Sequence, residues 1–323
     1  MKENFTNEIN MEINNVFKGF FLVIFFLLNH SAHSTSFENK ILYKIDNEII
    51  TSYDLELEKN YLKTLNPTIQ NLKEEEIYRI AKKSIINEKI KIIEISKYFK
   101  SPKIPMEYLN NLSKNIYRKI GISNLEEFKN YLNNNKIDYT NVLKKIEIEA
   151  LWNELIYSKY SEKVKIDLFK LREEVVNNIH ESNKSYLMSE ILFEVDKTEN
   201  IQTKYLEIRK MILEKGFENA ALKYSSSSTA NIGGKLDWID SNSLNKIIKN
   251  AVKNLKKNEF TKPIVIAGGF IVLKVNDIKI NNNKKNIELE LEKLVNSTKN
   301  NQLNQYSIIH FNKIKQDIEI NEI

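Results

Sequence analysis

From Thr51 to about Asn178 the chain reads almost wholly as helix, and no other feature limits its fold so tightly. Between Glu74 and Lys100 the apolar residues Ile77, Ile80, Ala81, Ile85, Ile86, Ile90, Ile93 and Ile95 recur at helical spacing. That pattern predicts one long amphipathic helix with a single face to bury. Thr51, with Asp54 three residues on, resembles a capping box, and its helix should end before Asn66-Pro67, because a proline drives the preceding residue out of the helical region. Pro105 at a helix start, Gly121 just past a helix end, and Ser123 with Glu126 opening the next helix mark a helix, a turn and a second helix. Asp138 is placed to cap a further long helix through Leu151 and Tyr157. The stretch holds no Gly-rich phosphate loop, His-Glu metal motif or repeated module, so its role reads as binding in preference to chemistry.

On either side the periodicity changes. Ile41 to Ile50 reads as a short hairpin, with Ile41, Tyr43 and Ile45 alternating against polar neighbours and Asp46-Asn47-Glu48 supplying the turn. From Tyr186 the pattern becomes β-α-α-β-like: a strand with Leu187, Ile191, Phe193 and Val195 on one face, a helix from about Asn200 to Lys215 stopped by Gly216, and a short helix from Phe217 to Lys223. A Ser-rich loop with Gly233-Gly234 follows, then a helix from about Leu244 to Leu255 and two strands flanking Gly268-Gly269. Five of the seven glycines lie here, as the tight turns of a small α+β domain require. After Asn281-Asn282-Asn283 a charged amphipathic helix runs from about Lys285 to Lys313. The alternating end Asp317-Ile318-Glu319-Ile320 is able to close back onto the first hairpin, which would make the α+β domain an insertion in a discontinuous helical one.

Composition narrows the chemistry. There is no cysteine, which removes disulfides, thiolate nucleophiles, Cys-ligated zinc and a lipidated N-terminal Cys. Lys and Arg number 49 against 43 Asp and Glu, but they are interleaved along helical faces, as in Lys89, Lys91 and Glu94, so the net +6 reads as a solvated surface and not as a nucleic-acid patch. Nothing supports a metal or an organic cofactor. Lys18 precedes an unbroken apolar run from Phe20 to Leu28, then a small and polar segment with Ala32-His33-Ser34. The run is too short to span a bilayer and reads as a secretory signal peptide over residues 1–34, with Met11 as an alternative start and an uncleaved anchor or a buried apolar strand as alternatives. No other stretch is long enough to cross a bilayer, so the expectation is a mature chain without an integral membrane segment.

Five segments, in order across about ninety residues, resemble the parvulin pattern of PpiC-type rotamases. They are Ser189-Glu190-Ile191-Leu192, Phe217 to Ser225, Gly233 to Ile239, Leu255 to Ile264 and Gly269 to Val275. The surrounding layout is similar to that of SurA-type periplasmic chaperones. The resemblance implies an α+β architecture: a mainly helical N-terminal chaperone domain over 35–183, a parvulin-like peptidyl-prolyl isomerase domain with a small antiparallel sheet over 184–279, and a C-terminal helix and strand over 280–323 that complete the first domain. It implies location in the periplasm and unfolded polypeptides as partners, among them outer-membrane protein precursors.

Carried over residue by residue, the resemblance puts the family's first histidine at Glu190, its Asp or Cys at Ser227 and its second histidine at Ile271, so all three catalytic positions are replaced. The proline pocket falls at Leu244 and Ile248, where the family prefers Met and Phe, and Trp238 and Phe270 are counted with them as substrate-binding candidates. Prolyl isomerisation breaks no bond; it crosses a barrier of about 18 to 20 kcal/mol by favouring a twisted amide. An apolar cup without the histidines therefore leaves two readings open, a polypeptide-binding chaperone of weak isomerase activity and an active isomerase. A helical adaptor with a decayed parvulin domain is a third. His180 and His310, the histidines outside the leader, have no partner visible in sequence.

Overall fold

Apart from the long helix that begins at Glu74, whose cap position Lys73 makes no side-chain hydrogen bond, each α-helix of the N-terminal half starts where the sequence supplies an acceptor or a proline. In a computed structural model, which describes residues 39–100, 104–178, 184–195, 199–280 and 286–323, the hairpin β1 (Ile41–Ile45) and β2 (Glu48–Thr51) turns at Asp46, whose φ is 52°. The leader, His180 and Asn281 to Asn283 lie outside the described residues. Thr51 then opens α1 (Ser52–Leu65): its Oγ1 accepts from the Asp54 N–H at 3.2 Å, and the Asp54 carboxylate accepts from the Thr51 N–H at 2.9 Å. A 3-10 turn follows over Pro67–Asn71, then α2 (Glu74–Tyr98), α3 (Met106–Tyr117), α4 (Leu125–Asn134), α5 (Tyr139–Tyr160) and α6 (Leu168–Asn178). Asp138 caps α5 by accepting from the Thr140 N–H at 2.8 Å. At α4 the cap is Asn124 and not Ser123: Asn124 Oδ1 accepts from the Glu127 N–H at 2.9 Å, while the Glu127 carboxylate accepts from the Ser123 N–H. The predicted box of Ser123 and Glu126 is therefore shifted by one residue, since the carboxamide of Asn124 reaches the same orphan donor.

The second half runs β3 (Lys184–Phe193), α7 (Ile201–Lys215), α8 (Phe217–Tyr224), β4 (Lys235–Asp240), α9 (Lys246–Val252), β5 (Ile264–Ile266), β6 (Gly269–Ile280), α10 (Ile287–Asp317) and β7 (Ile320–Glu322). Two antiparallel sheets form, ordered β2-β1-β7 and β4-β3-β6-β5. In the first, Tyr43 pairs with Glu322 and Ile45 with Ile320, so the two ends of the described chain share one sheet. In the second, β4 is a strand that the periodicity of Lys235 to Asp240 does not announce; it pairs with β3 and is half-exposed along its length. The helix expected from Leu244 to Leu255 is shorter, because Leu244 precedes the cap Asn245, which accepts from the Ile248 N–H at 2.9 Å.

The two faces of the larger sheet bury different things. Ile191, Phe193 and Val272 join Ile208, Phe217 and Ala221 of the sheet's own helices in one core that continues into Leu62, Ile77 and Trp152 of the N-terminal helices. Tyr186, Met188, Ile271, Leu273 and Val275 close a second, smaller cluster with Leu244 and Val252. Polar contacts stitch the helical layer to the sheet layer beside the shared core. Asn66 Nδ2 donates to the Asn231 carbonyl at 2.6 Å, and Asn219 Nδ2 to the Thr68 carbonyl at 3.0 Å. α10 seals the helical side, where Trp152 Nε1 donates to Ser307 Oγ at 2.8 Å and the indole meets Phe311 edge-on. Residues 40–323 thus form one compact unit.

Candidate functional site

The strand β3 is both ladder and floor. Glu190 pairs across β6 with Leu273, and Leu192 with Ile271. The flanking side chains Met188, Leu273 and Ile271 belong to the smaller apolar cluster, so Glu190 places a carboxylate among apolar neighbours. Its own N–H is taken by the Gly234 carbonyl at 2.8 Å. That close approach needs glycine: Gly234 has φ +73°, and a Cβ there would lie 2.2 Å from the Glu190 carbonyl oxygen.

The Ser-rich loop after α8 supplies the partners of the carboxylate. The Ser226 N–H donates to the Leu192 carbonyl at 2.7 Å, and buried Ser225 Oγ accepts from the Leu192 N–H at 3.1 Å, which fixes the loop along β3. From there Ser227 Oγ donates to Glu190 Oε1, and Thr229 Oγ1 donates to the same oxygen at 2.9 Å. The Thr229 N–H in turn donates to Ser227 Oγ at 3.2 Å. Glu190 is thus half-buried and bound by two hydroxyls. Thr229, two residues after Ser227, is a member of the site that nothing in the sequence sets apart from the neighbouring serines.

Of the remaining candidates, Leu244, Ile248 and Ile271 come together in the smaller cluster, Leu244 and Ile271 buried and Ile248 at its edge. Trp238 and Phe270 do not join them. Trp238 pairs with Leu187 and carries the Lys279 ammonium 4.4 Å from its ring centroid, and Phe270 stacks on Phe193 at 5.7 Å beside the larger core. Strand alternation puts them on the opposite face of the sheet from the cup, which corrects their inclusion with it.

The loop is also held from outside the sheet layer. Lys83, on α2, donates from Nζ to the carbonyls of Lys223 and Ser225, both at 3.0 Å, and so caps the end of α8 two residues before Ser227. Burial pushes its pKa down to about 8, and the positive charges of Lys315 and Lys204 add to the shift. Nearby, Ser84 Oγ donates to Glu58 at 2.6 Å and approaches Asn231 Oδ1 at 3.2 Å, while Lys145 bridges Glu58 and Glu88. Burial opposes charge on Lys145, but the two carboxylates hold its pKa above the usual lysine range. Among the described residues, no three His, Asp or Glu side chains are grouped to hold a metal ion.

The arrangement sets a hydrogen-bond acceptor beside a largely buried apolar cluster with Ile248 at its edge. An ionised carboxylate has no proton to donate, and both hydroxyls beside it already donate to it. It can accept an N–H or receive a cation; it cannot polarise a carbonyl by hydrogen bonding.

Comparison with known proteins matches residues 190–277 to the PPIC-type PPIASE domain of the rotamase family. The chain is 27% identical over 168 residues to the chaperone SurA of Pectobacterium atrosepticum, a match covering 48% of this chain and 38% of that protein. Among solved structures, a SurA-like chaperone of Campylobacter jejuni is similar with 15% identity and a TM-score of 0.33, over 88% of this chain and 99% of the other. An isolated PpiC-type isomerase domain is similar with 26% identity and a TM-score of 0.27, over 31% of this chain and 94% of the other. The chain therefore carries a PpiC-type rotamase domain at residues 190–277, in a protein similar to SurA-type chaperones.

Proposed function

We propose that the protein is a periplasmic chaperone that binds unfolded polypeptides, among them outer-membrane β-barrel precursors, and that its parvulin-like domain contributes a binding cup with weak isomerase activity. The observation that carries this reading is Glu190 Oε1 accepting from both Ser227 and Thr229 beside the cup of Leu244, Ile248 and Ile271. Such a floor holds a side chain and accepts donors from an extended segment, which suits recognition with little sequence demand. The leader read in residues 1–34 supports the compartment, and among the described residues no helix is long and apolar enough to cross a membrane. Apolar side chains left in water on α6 and the start of α10, Leu168, Phe169 at 73% exposure, and Leu289, offer a further surface for an unfolded chain. Suppression of aggregation of an unfolded outer-membrane β-barrel by the complete mature chain is the expected result. Equal aggregation with and without a stoichiometric excess of the protein would sink the reading.

A second reading, an active isomerase, is favoured by the retained sheet and apolar cup. Because the larger core is shared with the N-terminal helices, its test also belongs on the complete chain.

A further inference from the structure

Resting on the polypeptide-binding reading above, we propose that Glu190 is a specificity-determining residue: it selects client segments carrying a Lys or Arg within two residues of the apolar or prolyl side chain seated in the cup. Glu190 stands between Met188 and Leu192 on β3 and opposite Leu273 on β6. Its half-buried carboxylate is therefore set among buried apolar side chains, where a charge is screened less than in open water. Ser227 and Thr229 converge on Oε1, and Oε2 accepts from neither. Two hydroxyls satisfy hydrogen bonding without neutralising charge. Among the described residues no Lys or Arg forms an ion pair with Glu190, and on α9 Lys246 is exposed while Lys249 is half-buried. A cation supplied by the client is the missing counter-charge.

The spacing follows from strand geometry. In an extended client, side chains on one face recur every two residues, at roughly 6.6 Å, the same interval that separates the position of Glu190 from that of Leu192 on β3. With an apolar side chain in the cup, the next residue on that face reaches the carboxylate. The selection runs against the field of the whole chain, whose net charge of +6 favours anionic ligands. A preference for cationic segments is thus a local signature and not a general one.

The test uses the complete mature chain and three labelled peptides that are identical except for Lys, Gln or Glu two residues from a central Leu-Pro pair, with affinities read by fluorescence anisotropy. The Lys peptide should bind about fivefold more tightly than the Glu peptide, the Gln peptide falling between, as expected for a partly exposed ion pair added in one case and repelled in the other. The ratio should collapse towards one in Glu190→Gln, which keeps an oxygen for Ser227 and Thr229. It should also shrink in the wild type as salt is raised, a readout that needs no variant. A wild-type ratio near one or below it, or a ratio unchanged in Glu190→Gln, overturns the assignment while leaving polypeptide binding intact. If none of the three peptides binds, the underlying reading fails and this one with it.

Discussion

Glu190 and Ser227 stand 37 positions apart in the chain, yet one hydrogen bond joins them. The parvulin pattern was enough to mark both positions, but it could not say that the replacing residues would pair, because that depends on the loop being tied to β3 through Ser225 and Ser226. His310 shows the opposite limit. Nothing in its sequence neighbourhood names a partner, yet it is only 7% exposed, with Nε2 3.0 Å from Glu94 Oε1 and Nδ1 2.9 Å from the Tyr160 hydroxyl. Burial lowers its pKa from the ordinary 6.5, against the pull of Glu94, and Lys159 and Lys313 add to the lowering. Below pH ~6.5 the unfolded chain takes up a proton that the folded one resists, so stability is fully present above that pH and falls as pH drops through it. Between about pH 7.5 and 5.5 this histidine should remove up to about 1 kcal/mol. Urea midpoints at the two pH values, compared with those of His310→Gln, check it: the variant should lose part of the wild-type pH slope. Equal slopes would contradict the account of this site.

At the scale of elements, the helices were legible because their signals are local: a repeating apolar face, a capping side chain, a proline. The cap at Asn124 slipped by one residue because Ser123 and Asn124 are both good caps and only the backbone decides between them. β4 was missed for a different reason. Lys235 to Asp240 is an edge strand with both faces partly in water, so it lacks the alternation that marks a half-buried strand. What places it is the turn before it, where Gly234 lets β4 approach Glu190. Replacing Gly234 with alanine asks for a left-handed conformation and drives a Cβ into a backbone oxygen, which should cost at least about 2 kcal/mol. Thermal unfolding measures it; a melting temperature within error of wild type would show that the strand is positioned by something else.

For the whole molecule, the order of elements was readable, but the way the halves meet was not. A strand with apolar residues on both faces does not say which partner each face will find. Here one face of the larger sheet enters the core of the N-terminal helices, and Lys83, Asn66 and Asn219 bind the carbonyls around the junction. The other face keeps the cup and the carboxylate. In the proposed reading, recognition of a polypeptide and catalysis of its isomerisation separate physically at this face: the apolar cluster of Leu244, Ile248 and Ile271 is kept, and the hydroxyls of Ser227 and Thr229 are spent on Glu190. The most direct test is the rate of Xaa-Pro isomerisation in a protease-coupled peptide assay with the complete mature chain. The account predicts a rate close to the uncatalysed one. A clear acceleration that disappears in Leu244→Ala would contradict it, because it would show that the cup alone is enough to catalyse.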